Sequence, residues 1–173
     1  MTSDSFSTIK VDKFPYYESQ QSGVMLITKK NQYALRAIFE LAKHRGQGPK
    51  KISEIAHAQA IPLRFLEVIL SQLKGTGWVE SKRGFYGGYL LKCSPRDISV
   101  GDILRFMQSP SQVADCIACF SKHDCPFDGN CAFASMWHQV NEAMFNIYDK
   151  TTIQDLLDGE RKETGGRANI FLK

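Results

Sequence analysis

Between Ser53 and Lys92 the chain spells two short amphipathic helices joined by a tight turn, then two short strands around a glycine-rich bend, and few folds accept that order. Ser53 opens the first helix, with Ile52, Ile55 and Ala56 apolar, and the run stops at Ile61-Pro62. Proline suits the first turn of the next helix, where its missing N–H would have had no partner. From Leu63 to Lys74, Leu66, Ile69, Leu70 and Leu73 fall at i, i+3, i+4 and i+7, which buries one face and turns Arg64, Glu67, Ser71 and Lys74 away from it. Two such helices make a helix-turn-helix. After a break at Gly75-Thr76-Gly77, Trp78 to Lys82 alternates as a strand, Arg83-Gly84-Phe85-Tyr86-Gly87-Gly88 turns, and Tyr89 to Lys92 returns. A hairpin directly after a helix-turn-helix reads as a wing.

The flanks complete the pattern. Thr28 is a good N-cap for a helix from Lys29 to His44, on which Tyr33, Ala34, Ala37, Ile38 and Leu41 lie three or four residues apart. Val100, Ile103, Leu104 and Met107 mark another helix from about Ser99 to Gln108. From Cys131 to Tyr148 the apolar residues Phe133, Met136, Trp137, Val140, Ala143, Met144 and Ile147 hold a helical stripe longer than a small winged unit needs to cover itself. Such a stripe wants a partner helix, so Phe133, Met136, Trp137, Val140, Met144 and Ile147 are the expected interface of a homodimer. Thr152-Ile153-Gln154-Asp155 looks like a capping box for a last short helix ending near Leu157. The expected fold is mainly α with a small β-hairpin: a winged helix-turn-helix followed by a long C-terminal dimerisation helix. The division expected is a flexible extension over 1–24, the winged unit over 25–96, a cysteine loop with dimerisation helices over 97–158, and a flexible tail over 159–173.

Charge divides along the same line. Residues 25–96 carry 13 Lys and Arg against 4 Asp and Glu, whereas residues 97–173 carry 7 against 11. A basic half joined to an acidic half implies that the first touches a polyanion. With a helix-turn-helix and a wing, that polyanion is expected to be double-stranded DNA. The helix from Pro62 to Lys74 would enter the major groove, with Arg64 as base reader because a guanidinium can bond guanine in bidentate fashion. Tyr33, Arg36, Lys82 and Arg83 would hold phosphates. Gly84, Gly87 and Gly88 would supply positive φ in the wing and let its backbone come close to the duplex. No apolar run nears the roughly 18 to 20 residues that span a bilayer, and the amino terminus lacks a basic stretch followed by an apolar one, so a soluble, cytoplasmic protein without a membrane partner is expected. No nucleotide loop or general-base pair supports an enzyme, and no second cluster motif supports an electron carrier.

The remaining chemistry is sulfur. Cys119, Cys125 and Cys131 recur as C-x5-C-x5-C, and Cys116 forms a CxxC with the first of them. In a reducing setting, grouped thiolates bind soft metals more often than they form lasting disulfides. Three readings are open: an iron–sulfur cluster, a zinc site, and a thiol switch without metal. Zinc favours paired CxxC knuckles, and one CxxC is present here, whereas the wide gaps let three thiolates curl around a larger cofactor. The fifth cysteine, Cys93, stands beside the second wing strand and reads as a small packed hydrophobe.

Five separated motifs occur in one order: Tyr33-Ala34-Leu35-Arg36-Ala37, Ile52 to Ala56, Phe65-Leu66-Glu67 with Leu70, Arg83-Gly84-x-x-Gly87-Gly88-Tyr89, and Ile98-Ser99-Val100-Gly101-Asp102-Ile103. Together with the cysteine loop they resemble the Rrf-two family of bacterial transcription regulators over roughly Met25 to Leu157. The resemblance implies a dimeric winged-helix protein on a near-palindromic DNA site, with an iron–sulfur cluster held by Cys119, Cys125 and Cys131 as a sensor of iron, redox state or nitric oxide. Two departures leave the fourth ligand open. Gln32 stands where one branch of the family has an acid, and Ala134 stands where another has a histidine. Cys116, His123 and Gln32 are the candidates, Cys116 first because thiolates are the usual cluster ligands. Phe85-Tyr86 replaces smaller residues that the family often has at the wing tip. The alternative is a metal-free regulator that senses a metabolite, thiol oxidation or a protein partner.

Overall fold

The structure is a computed structural model and describes residues 27–107 and 131–168. The proposed extension over 1–24 lies outside these residues, as do Cys116, Cys119, His123 and Cys125. Helix α1 (Lys29–Lys43) starts as expected at Thr28, whose hydroxyl accepts the Asn31 N–H at 3.2 Å. It is the spine of the fold, with Ala34, Ala37, Ile38 and Leu41 buried and with most of the later elements packed against it.

Helix α2 (Ile52–Gln59) begins one residue before Ser53, because Lys51 takes the cap position and its N–H bonds the Glu54 carboxylate at 3.3 Å. The turn that follows is made by Ala60, which sits in the left-handed region at φ 50°, and by the buried Ile61. Helix α3 (Leu63–Lys74) starts immediately after Pro62, so the proline is the cap and lies one position outside the helix. Leu66, Ile69, Leu70 and Leu73 are all buried, as their spacing requires.

Strands β1 (Val79–Lys82) and β2 (Gly88–Leu91) pair antiparallel, Val79 opposite Leu91 and Lys82 opposite Gly88. Lys50 adds a single bridge on the outer edge of β2: its N–H donates to the Tyr89 carbonyl and the Tyr89 N–H donates back, both at 2.8 Å.

A 3-10 turn (Pro95–Asp97) leads to α4 (Val100–Met107), and α5 (Ala134–Lys150) and α6 (Ile153–Ala168) follow. The capping box at Thr152 is present: the Thr152 N–H donates to the Asp155 carboxylate at 2.8 Å, and the Asp155 N–H donates to the Thr152 hydroxyl at 3.1 Å. These bonds hold the Asp155 carboxyl below its ordinary range, the Thr152 side chain contributing most. Ser99 and Asp102 repeat the device at the start of α4. The two helix starts are stapled together through backbone bonds from Val100 to Thr151 (2.8 Å) and from Ile153 to Ile98 (3.0 Å). One core therefore runs through Ile98, Ile103, Met107, Ile153 and Leu157 into α1 and α3. Where the sequence predicts a helix ending near Leu157, α6 continues to Ala168. Gly159 does not stop it, because an isolated glycine inside a helix costs only about 1 kcal/mol.

Candidate nucleic-acid interface

The outward face of α3 is set by the burial of its inner one. At about 100° per residue, Arg64, Val68 and Ser71 lie opposite the buried leucines, with Glu67 and Phe65 on the flanks. All five are exposed. Phe65 and Val68 are apolar yet 61% and 56% accessible, a feature that periodicity alone does not reveal because neither belongs to the core row. Phe65 rests against Tyr33 of α1 with ring centroids 6.3 Å apart, so Tyr33 stands half-buried at the edge of this face. Arg36 is exposed beside it and its Nη1 donates to the Gln59 carbonyl at 3.4 Å, which ties α1 to the end of α2.

The wing carries Lys82, Arg83 and Gly84 on its exposed side. Its glycines have different reasons. Gly84 has φ 105°, the left-handed region that the sequence reading assigned to all three. Gly87 and Gly88 do not adopt it. A Cβ on Gly87 would collide with the Lys82 carbonyl, and one on Gly88 with the backbone of Lys50, so close packing of main chain is what these two positions require. At the tip, Phe85 and Tyr86 are 82% and 86% exposed and meet edge to face at 5.0 Å. Nζ of Lys51, from the start of α2, lies 5.5 Å from the centre of the Phe85 ring. Lys51 was absent from the sequence candidates, because its place beside the wing is a tertiary fact.

The wing is anchored from beneath. Glu40 of α1 is buried, accepts a hydrogen bond from Nζ of Lys50, and accepts another from Nε2 of Gln59 at 2.7 Å. Burial alone would raise the Glu40 pKa. The hydrogen bonds from Lys50 and Gln59, with the charges of Lys50 and Lys43, outweigh it and hold the carboxyl below its ordinary range.

Of the cysteine set, Cys131 lies within the described residues, half-buried at the foot of α5, where its carbonyl accepts the Ala134 N–H at 3.1 Å. Gln32 is exposed on α1. Among the described residues no three His, Cys, Asp or Glu side chains gather closely enough to hold a metal. The donor chemistry that the sequence supplies, thiols at the C-x5-C-x5-C spacing with a fourth at Cys116, fits an iron–sulfur cluster. Cys93 packs against the main core, and burial pushes its thiol pKa up.

Helix α5 has two apolar edges. Phe145 and Tyr148 pack on Leu35, Val100 and Leu104, and Arg105 of α4 grips Asp149 with two bonds of 2.7 and 2.6 Å while its guanidinium covers the Phe145 ring at 4.6 Å. The hydrogen bond to Asp149 raises the Arg105 pKa further above its ordinary value. Gly101 leaves the room that Asp149 occupies. The other edge is bare: Phe133, Met136, Trp137, Val140 and Ile147 are exposed, while Met144, between the edges, is half-buried.

A basic wing beside an open second helix, joined to a long helix with an uncovered apolar edge, is the build of a winged helix-turn-helix regulator. The family profile described as "Rrf2: Iron-dependent Transcriptional regulator" matches residues 27–159. The chain belongs to the Rrf2 family of transcriptional regulators, a family of regulators and not of enzymes. It is 33% identical to the HTH-type transcriptional regulator CymR of Bacillus subtilis over 141 residues, 80% of this chain and 96% of that one. It is 30% identical to the HTH-type transcriptional regulator IscR of Aliivibrio salmonicida over 147 residues, 84% of this chain and 86% of that one. Among solved structures, T. potens IscR matches with a TM-score of 0.62 at 32% identity, covering 79% of this chain and 88% of that one. CymR of B. subtilis, described as its global cysteine regulator, also gives 0.62 at 32% identity, covering 77% and 96%. No helix among the described residues is long and apolar enough to cross a membrane.

Proposed function

We propose that the chain is a cytoplasmic, homodimeric DNA-binding regulator whose affinity for a near-palindromic operator follows the state of an iron–sulfur cluster held by Cys119, Cys125 and Cys131. Cys116 is the leading fourth ligand, with His123 and Gln32 as the alternatives. The observation that carries the reading is that Cys131 sits at the foot of the same helix whose other end is clamped to α4 through Arg105 and Asp149 and packs, through Phe145 and Tyr148, on Leu35 of the winged unit.

Residues 25–96 act as the DNA-contacting unit. Arg64 reads bases from α3, and Tyr33, Arg36, Lys82 and Arg83 hold phosphates. Pro62 sets the start of α3 against the groove, and Gly84, Gly87 and Gly88 shape the wing that enters the neighbouring groove. Residues 97–158 carry the sensor and the seam, where the bare edge of α5 (Phe133, Met136, Trp137, Val140, Ile147, with Met144) pairs with its copy. The pairing spaces the two reading helices about 34 Å apart, one turn of duplex. An iron–sulfur cluster supplies a centre whose charge and ligation respond to iron, oxidants or nitric oxide. A tilt of α5 is passed to α4 through Arg105–Asp149 and to α1 through the Leu35, Phe145 and Tyr148 contact.

The test is anaerobic purification followed by a visible absorption spectrum and assays for iron and acid-labile sulfide. Coloured protein with both elements is expected. Protein that stays colourless after anaerobic reconstitution contradicts the cluster. It favours the second reading, a metal-free thiol or metabolite sensor, to which the likeness to CymR lends support.

A further inference from the structure

We infer that Phe85 and Tyr86 form an aromatic wedge that enters the minor groove, unstacks one base step and bends the duplex. The inference rests on the DNA-binding reading above and adds a distortion step to it. Of the large apolar side chains among the described residues, these two are the most exposed, at 82% and 86%. Side chains of this kind bury roughly 150–250 Å² each when they find a partner. In their own fold they meet each other, and Phe85 meets the Lys51 ammonium.

The tip is aimed and stiff. The Gly87 N–H closes the bend onto the Gly84 carbonyl at 2.9 Å, Gly84 takes the left-handed φ, and Gly87 and Gly88 lie too close to neighbouring backbone to accept a Cβ. Beneath it, Lys50 fixes the outer edge of β2 and is itself held by Glu40. A rigid pair of rings on a fixed hairpin loses little freedom on insertion.

Charge names the partner. From Ser81 to Lys92 there is no acidic residue, while Lys82, Arg83 and Lys92 are present and Lys51 flanks the rings. Cations beside apolar rings, next to an open second helix of a helix-turn-helix, fit a phosphate-lined groove. Apolar wedges inserted from the minor groove kink duplexes by about 20–90°.

The experiment uses the full-length protein. A 30-bp duplex is selected from a random pool at low salt, 2-aminopurine is placed at successive steps across it, and end-to-end energy transfer reports bending. Wild type is expected to brighten 2-aminopurine at one step per wing and to shorten the end-to-end distance. The Phe85→Ala/Tyr86→Ala variant is expected to bind about tenfold or more weakly, the loss expected when aromatic stacking on bases is removed, and to leave the duplex straight and dark. Phe85→Trp is expected to restore both signals. Both side chains are exposed, so circular dichroism of the variants should match wild type. Wild-type binding with no brightening and no bend at any step overturns the wedge while the DNA-binding reading survives. Failure of wild type to bind any duplex in the pool overturns both.

Discussion

Glu40, buried in the central helix, accepts a hydrogen bond from the side chain of Lys50, and the backbone of the same lysine bridges to Tyr89 in the wing. One residue thus joins the spine of the fold to the element that carries Lys82, Arg83 and the aromatic tip. Both side chains are largely withdrawn from water, at 16% for Lys50 and 7% for Glu40, so removing one leaves the other charge stranded. Glu40→Gln is expected to cost about 3 kcal/mol in urea denaturation, and to weaken DNA binding by loosening the wing.

The same pair sets a pH dependence. The folded Glu40 carboxyl titrates below its ordinary value of 4.5, so the folded state binds fewer protons there than the unfolded one. Its contribution is fully present above that ordinary value and is lost as pH falls through the lower folded pKa. Thermal denaturation between pH 6 and roughly pH 3 is expected to show a steeper acid loss for wild type than for Glu40→Gln.

Arg105 and Asp149 are half exposed, at 48% and 42%, so their pairing contributes little to stability. Arg105→Ala is expected to change the unfolding free energy by less than about 1 kcal/mol. Because the pair clamps α5 to α4, the variant is expected to shrink the difference in operator affinity between cluster-loaded and cluster-free protein. A full difference would show that α5 acts by another route.

The bare edge of α5 gives a test of assembly that spares the monomer's fold. Val140→Glu with Ile147→Glu places charge on two exposed residues, which make no core contact within one chain. Sedimentation equilibrium is expected to show dimer association weakened by about a hundredfold or more, the scale of losing central apolar anchors. An unchanged dimer would move the seam elsewhere.

Reading and gripping should separate on α3 and the wing. Arg64→Ala is expected to relax preference at one base pair by about 1–3 kcal/mol, and Lys82→Ala to weaken all duplexes alike. If a dimer neutralises about six to eight phosphates, log affinity falls with log salt at a slope of roughly −5 to −7, and Lys82→Ala reduces it by about one per site. Val68 is exposed one turn after Arg64, and with α3 in the major groove as proposed it is expected to meet a thymine methyl. Replacing that thymine with uracil should weaken wild type but not Val68→Ala.

Much of this was legible in the chain. The burial of Leu66, Ile69, Leu70 and Leu73, the Thr28 cap and the Thr152 box follow from periodicity and from local hydrogen bonding, which sequence spacing records directly. The Glu40–Lys50 anchor was not, since Lys50 belongs to no periodic element and its partner is set by how α1 meets the wing. Nor were the separate jobs of Gly84, Gly87 and Gly88, because a positive φ and a crowded backbone call for the same residue. The split of α5 into a packed edge and a bare one also escaped: Phe145 and Tyr148 lie next to the apolar stripe on the helix, and only the docking of α4 shows which edge the fold uses.

Operator affinity measured anaerobically for cluster-loaded, cluster-free and oxidised protein, at one fixed salt concentration, bears most directly on the proposed sensing. The three values are expected to differ by tenfold or more between at least two states, with the difference lost when Cys119, Cys125 and Cys131 are replaced by serine. Three equal values in the wild-type protein would contradict it.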